Sequence, residues 1–496
     1  MAFERIALCL SGGGYRAAAF HLGALRALDE LQLLNRLRCL STISGGTIVG
    51  AELCGALVNK ESFSIFFERF KKFLSTVNVV DQAFDKLHSS ESRCLSLIRA
   101  AASVYDTELC NGKSFGDLVA SDIPIQDIVF SATEFRHGLA FRVQRTRDQR
   151  GVFGNGKLRV PESVANKIRL ADIVAASSCF PGAFEPINFP DDFYWPKGCT
   201  LTSIRRELGG DFPTSVPLMD GGIYDNQGVD AAEMAGGGNH TDYDLFIISD
   251  TNQRTEQFLA TTTVKRHGWI TLRVWAWLTM VLCGVSGLST IFLSKFIYEQ
   301  WNSISLFNLC TLGIIPALCS GTITCILVRI FLLFKSTQAI RVSGVDFDLW
   351  PMLRRLTLPE LLQLVRHRLE AILPMISVFM KRIRALTFNK LFDDPKYKGK
   401  IASNLIYELA GPHNALYQNA SYLKPSQQLQ DLSKEAEASP TTLWIASTDE
   451  LESLIRCGRV TMLFSLLKTM EEHPDSNIRE SDVYIKAKEL WNKANS

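Results

Sequence analysis

The sequence predicts an α/β fold, and three observations carry that prediction. The first 58 residues alternate strand, glycine-rich turn and helix twice. Further strand candidates recur at Ile128–Thr133, Leu139–Val143, Pro217–Asp220 and Leu245–Ser249, with helical stretches between them. The first strand is an unbroken apolar run, as expected where both faces of a sheet are covered. Strands and helices that alternate along a chain build a sheet flanked by helices.

Taken in order, Arg5–Leu10 reads as a short buried strand and Ser11–Gly14 as a turn. Arg16 to Leu34 reads as a helix, with Ala18, His21, Leu22, Leu25 and Leu28 at helical spacing. Arg38–Ile43 is a second strand, Ser44-Gly45-Gly46 a tight turn, and Thr47–Val58 a helix rich in small residues. Residues 61–120 lack strand signals and are expected to form a helical cap or flank. The domain so outlined covers 1–255.

A charge-poor block follows. Of the 75 residues from Gly268 to Val342, only Arg273, Lys295, Glu299, Arg329, Lys335 and Arg341 are charged. A bilayer core needs about 20 apolar residues per helix. Val274–Ser294 and Asn302–Val328 carry no charge and meet that length. The segment 256–342 is therefore expected to be a transmembrane hairpin, with spans near 274–294 and 306–328. Trp269, Trp275, Trp277, Tyr298 and Trp301 sit near the span ends, where aromatic rings favour the interface. Lys265, Arg266 and Arg273 precede the first span, and Arg329, Lys335 and Arg341 follow the second. The positive-inside rule then places both termini and the 1–255 domain in the cytoplasm.

Residues 343–496 are expected to be a basic helical region. Thr357-Leu358-Pro359-Glu360 has a capping-box pattern. From 351 to 400 there are eleven Lys/Arg against four Asp/Glu. Such a stretch either lies on an anionic leaflet or packs on the domain with a solvated basic face. Residues 343–411 are expected to be helical and 425–440 to be a polar loop. Thr442–Leu467 is expected to supply a last strand and helix, so that 440–470 completes the core.

Composition narrows the function. Lys+Arg (53) nearly balances Asp+Glu (51), which argues against a nucleic-acid partner recruited by bulk charge. The 12 cysteines contain no CxxC pair, so neither a zinc site nor any other metal site is expected. Scattered thiols in a chain this long fit a reducing compartment.

Three motifs carry chemistry. Ser11-Gly12-Gly13-Gly14-Tyr15-Arg16-Ala17, between strand and helix, turns backbone N–H groups toward one point at the positive end of a helix. Two chemistries fit that anion site: a dinucleotide pyrophosphate on Gly12, Gly14 and Ala17, or an oxyanion hole. Dinucleotide binding wants an acidic residue ending the second strand. Here that strand ends in Ser44-Gly45-Gly46, a serine on a sharp strand-to-helix turn, which exposes Oγ as a nucleophile elbow does. A serine that merely caps the helix is the plainer alternative. Its base is expected to be Asp220, ending a strand and followed by Gly221-Gly222, since an acid there faces the ligand crevice of an α/β sheet. His21 lies on an amphipathic helix and is read as a packing residue.

The ordered set Gly12-Gly13-Gly14-Tyr15-Arg16, Ser44-Gly45-Gly46 and Asp220-Gly221-Gly222 resembles the patatin-like phospholipase family. Ala175-Ala176-Ser177-Ser178-Cys179-Phe180-Pro181 resembles the same family. The chain looks like a bacterial-type member with an added hairpin. The resemblance implies a three-layer α/β/α hydrolase core and a Ser–Asp dyad. Ser44 would be the nucleophile and Asp220 the proton acceptor. Gly12, Gly13, Gly14 and Arg16 would form or support the oxyanion hole, with Gly45, Gly46, Gly221 and Gly222 shaping the turns. Two positions depart from the pattern: Thr42 stands for the first elbow glycine, and Ala17 for the last glycine of the oxyanion motif. The expected function is a membrane-anchored serine acyl hydrolase of phospholipase or lysophospholipase type. No cofactor is expected, and membrane lipids serve as substrate and anchor. Two alternatives stand beside it: a non-catalytic membrane scaffold on the same fold, and a nucleotide-binding membrane protein using the 12–17 loop.

Overall fold

Five parallel strands form the centre of a ten-stranded sheet, in the order β12-β9-β1-β2-β3. The strands are β1 (Ile6–Leu10), β2 (Leu37–Ile43), β3 (Asp127–Glu134), β4 (Leu139–Arg145), β5 (Gly151–Gly154), β6 (Arg159–Val160), β7 (Ile187–Phe189), β8 (Val216–Asp220), β9 (Leu245–Asp250) and β12 (Ile401–Leu405). Beyond β3 the sheet continues antiparallel through β4, β5 and β6, while β8 and then β7 add along the C-terminal half of β3. This computed structural model describes all residues except 1–2, 90–95, 148–150, 236–242, 255–269, 302, 304, 337–338, 343–344 and 349–352. Trp269, Lys265, Arg266 and the start of the 256–342 segment lie outside the described residues.

The chain divides into two compact units, 1–257 with 376–496, and 258–375. In the first, successive residues of β1 enter opposite faces of the sheet, as the two-residue period of a strand requires. Ile6, Leu8 and Leu10 join an apolar cluster with α1 (Gly14–Glu30), α2 (Gly45–Val58), α3 (Phe63–Thr76) and the helix Thr448–Glu471. Ala7 and Cys9 join a second cluster with the helix Val229–Ala235 and Leu391 of the helix Leu358–Asp393. These are the three layers of an α/β/α core. The flank between α2 and β3 is helical: α3, Val79–Ser89, Leu97–Tyr105 and Phe115–Ala120.

The structure corrects several boundaries. Helix α1 ends at Glu30 rather than Leu34, because Gln32 takes the left-handed conformation (φ 58°) and Leu33 bonds back to the Leu28 carbonyl. Residues 343–411 are not all helical. Ile401–Leu405 is the edge strand β12, parallel to β9, with Ala402 and Asn404 turned into the core. The 425–440 stretch is not a loop but the helix Gln427–Ala438, which buries Leu429, Leu432, Ser433 and Ala436 on one face. The last strand expected after Thr442 is absent among the described residues; β12 holds that role, and the helix expected there is Thr448–Glu471.

The second unit contains two helices long and apolar enough to cross a membrane. Leu272–Gln300 has 29 residues and a mean hydropathy of 1.8; Leu306–Arg329 has 24 residues and 2.0. Few of their residues are fully buried, and Trp277, Leu288, Phe292 and Leu318 all face outward. Where the helices meet, Ser286 Oγ and Ser320 Oγ each donate to the other residue's carbonyl at 2.7 Å. Thr324 Oγ1 donates to Ser286 Oγ (2.7 Å) and Thr290 Oγ1 to Ser320 Oγ (2.9 Å). A short antiparallel hairpin, β10 (Ala339–Val342) with β11 (Val345–Asp348), follows. The capping box is present, with Thr357 N donating to Glu360 Oε2 at 2.9 Å.

Candidate active site

Strand pairing explains why two distant residues meet. Ile43, the last residue of β2, pairs with Ser131 of β3, and Asp220, the last of β8, pairs with the next residue, Ala132. Both strands therefore end at the same point along β3, and Ser44 arrives beside Asp220. The Ser44 side chain faces the Asp220 carboxylate, close enough to oppose the rise that burial gives its pKa. Ser44 adopts φ 49°, ψ −118°, a conformation that costs a non-glycine residue about 1–3 kcal/mol and persists only when its surroundings enforce it.

Those surroundings are close-packed backbone. A Cβ on Gly45 would overlap the Gly14 carbonyl, and one on Gly46 the Leu10 carbonyl. Gly46 N donates to Ser11 O at 3.2 Å, tying the elbow to the first loop. The Ser44 N–H donates to Ser177 Oγ (3.0 Å), which in turn donates to the Ser131 carbonyl (2.7 Å). With the Ser177 proton committed there, Thr47 Oγ1 donates to Ser177 (2.8 Å) and Thr42 Oγ1 to Thr47 (3.0 Å). Thr42, which stands where the elbow pattern has glycine, thus anchors a hydroxyl chain beneath the serine. Ser177 was visible in the sequence only as part of a family-like stretch; nothing local assigned it to the elbow.

Asp220 is buried, and burial lifts its carboxyl from the ordinary value to about 6, opposed by the Ser44 side chain and the hydrogen bond from the Gly222 N–H. Gly222 N donates to Asp220 Oδ1 at 2.7 Å. The peptide on either side is pinned: Asp220 N donates to Cys179 O (3.0 Å), and Thr133 Oγ1 donates to Asp220 O (2.8 Å). Gly221 lies so near the Ser131 carbonyl that a side chain would overlap it.

The glycine loop sits against this pair. A Cβ on Gly12 would fall 3.0 Å from Ser44 Cβ. Gly13 (φ 143°) and Gly14 (φ 58°) take conformations that favour glycine. The Gly12 N–H donates to the Asn226 carbonyl at 3.1 Å, so it is engaged within the fold. Among the described residues, the Gly13 and Gly14 N–H groups have no backbone partner. The first turn of α1 is covered from a distant part of the chain: Tyr15 N donates to the Thr442 carbonyl at 2.8 Å. Arg16 is buried and braces the loop from below, with Nη1 on Ser439 O (2.8 Å) and Nη2 on Thr251 O (3.2 Å).

His21 is buried away from the dyad's proton path. Its Nε2 faces the Ser11 carbonyl (3.0 Å), which only accepts, so Nε2 carries the proton and Nδ1 accepts from Ser249 Oγ (2.9 Å). Burial lowers its pKa to about 4. A neutral imidazole stitching β1 to β9 is a packing residue. Among the described residues no group of three or more His, Cys, Asp or Glu side chains is placed to hold a metal.

Residues 8–233 match the family model of patatin-like phospholipases. The match spans the glycine loop, Ser44 and Asp220, and leaves the two apolar helices outside it. It supports lipid acyl hydrolysis as the general activity. No curated protein matches the chain.

Proposed function

We propose that the protein is a membrane-anchored serine acyl hydrolase that cleaves fatty-acyl esters of membrane lipids, as a phospholipase or lysophospholipase does. The observation that carries this reading is Ser44, held at a strained elbow with its side chain facing a buried carboxylate. Ser44 Oγ attacks the ester carbonyl while Asp220 takes its proton. Negative charge on the carbonyl oxygen is met by the Gly13 and Gly14 N–H groups at the start of α1. Collapse of that intermediate releases the alcohol, which takes the proton from Asp220. Water, activated by the same carboxylate, then frees the fatty acid. No step needs a cofactor.

The hairpin is the anchor in this reading, with the dyad and both termini on the cytoplasmic side. Tethering an enzyme to the surface that holds its substrate raises effective concentration without any new contact. The test is fluorophosphonate labelling of the full chain in detergent, with hydrolysis of a lysophospholipid and a diacyl phospholipid measured alongside. Ser44→Ala is expected to abolish labelling, and Asp220→Asn to lower turnover at least about a hundredfold. Unchanged turnover in either variant sinks that residue's role.

A further inference from the structure

The C-terminal part of the basic helix Leu358–Asp393 belongs to the first unit and directs Arg384 toward the loop after Asp220. Arg384 is nearly buried, with Nη1 on Asn252 Oδ1 at 2.5 Å and Nη2 3.6 Å from Asp250 Oδ1. Its remaining hydrogen bonds, from Nε at 2.9 Å and from Nη2, go to the side-chain oxygen of Asn226. That assignment fixes the rest of the carboxamide, because a guanidinium only donates and needs the oxygen toward it. The opposite end of the carboxamide faces acceptors alone, as an amide nitrogen must.

That end lies at the dyad. Asn226 is 2% exposed. A Cβ on Gly12 would overlap the end of its carboxamide while standing 3.0 Å from Ser44 Cβ. A Cβ on Gly222 would lie 2.5 Å from the same end and 3.0 Å from Asp220 Oδ1. The amide nitrogen thus fills the wedge between the glycine loop and the turn after Asp220.

We infer that Arg384 is a positioning residue that holds Asn226 so that its amide nitrogen adds an N–H donor beside Ser44, next to those of the glycine loop. A carboxamide free to rotate by half a turn would present its oxygen instead and repel the developing oxyanion. The two guanidinium bonds prevent that rotation. The inference rests on Ser44 being the nucleophile.

Two variants separate this role from a structural one, assayed in the full chain in detergent with p-nitrophenyl butyrate. Asn226→Asp keeps an oxygen toward Arg384 but replaces the donor beside Ser44 with a second oxygen. The new oxygen faces acceptors, so the variant's melting temperature is expected to fall. Assayed well below that temperature, where it is folded, its kcat is expected to fall about a hundredfold, with KM within about twofold. Arg384→Lys keeps the charge near Asp250 but cannot grip Asn226 through two nitrogens. Its kcat is expected to fall about tenfold, with KM again little changed. An Asn226→Asp protein with unaltered kcat, or a loss that only tracks lowered melting temperature, overturns the inference. Failure of the unaltered protein to label at Ser44 overturns instead the reading beneath it, and the inference with it.

Discussion

At Asp220, burial and hydrogen bonding pull in opposite directions. Burial pushes the carboxyl up to about 6, and the contacts from Ser44 and Gly222 hold it from rising further. A general base must be ionised, so turnover is expected to rise with pH through an acid limb near 6 and flatten above it. Stability runs the other way. A carboxyl whose folded pKa lies above its unfolded value contributes stability below the unfolded value, and that contribution is lost as pH rises through about 6. At pH 7 Asp220→Asn should therefore be more stable than the unaltered protein, by on the order of 2 kcal/mol, although its turnover is expected to fall. A pH–rate profile and thermal melts at pH 5 and 7 check both halves; an acid limb near 4 would show the carboxyl to be unperturbed. Ser44 and Asp220 were legible because glycines flank each at a strand end. Asn226 and Ser177 were not. Their roles depend on partners far away in sequence, at 384 and 44, which no local pattern encodes.

At the scale of elements, α1 and the helix Thr448–Glu471 approach so closely that each needs a glycine. A Cβ on Gly23 would overlap the Ile455 carbonyl, and a Cβ on Gly458 the Phe20 carbonyl. Both contacts involve backbone, which cannot rotate away as a side chain can. Gly458→Val should force the helices apart and lower stability by about 3 kcal/mol or more, beyond the usual range for overpacking by flexible neighbours. Because α1 begins at the glycine loop, ester hydrolysis should fall in the same variant. A melt within about a degree of the unaltered protein would contradict this. This pair also shows why the C-terminal region was only partly legible. The helix periodicity near 450–470 was plain, but Gln427–Ala438 hid its buried Leu429, Leu432 and Ala436 among glutamine, lysine and glutamate. Strand β12 carries Ser403 and Asn404 where β1 has an unbroken apolar run, so it does not stand out from the helical patterns around it, and it is held by pairing with β9 rather than by propensity.

For the whole molecule, the sequence average conceals two chemically different units. A near-balanced charge and an ordinary apolar fraction describe neither the α/β/α core nor residues 258–375. In the second unit the apolar side chains of both long helices point outward, with Trp277 66% and Phe292 70% exposed. Buried helices of a soluble core would turn such residues inward; helices of this length and apolar character are long enough to cross a membrane. The hydroxyls of Ser286, Thr290, Ser320 and Thr324 instead lie between the helices, where they satisfy one another or helix carbonyls. That arrangement suits a bilayer, in which a polar group without a partner is costly and water is absent. The full chain is accordingly expected to remain in the membrane pellet after alkaline carbonate washing. A variant lacking 270–336 should move to the soluble fraction, and a reporter fused after Ser496 should lie on the cytoplasmic face. The expected kinetic signature is a loss confined to membrane-embedded substrate. The shortened protein should keep its rate on soluble p-nitrophenyl butyrate, while its rate on phospholipid vesicles falls at least about tenfold, because tethering acts through local concentration and leaves the dyad untouched. Equal rates of the two proteins on vesicles would show that the hairpin has another purpose.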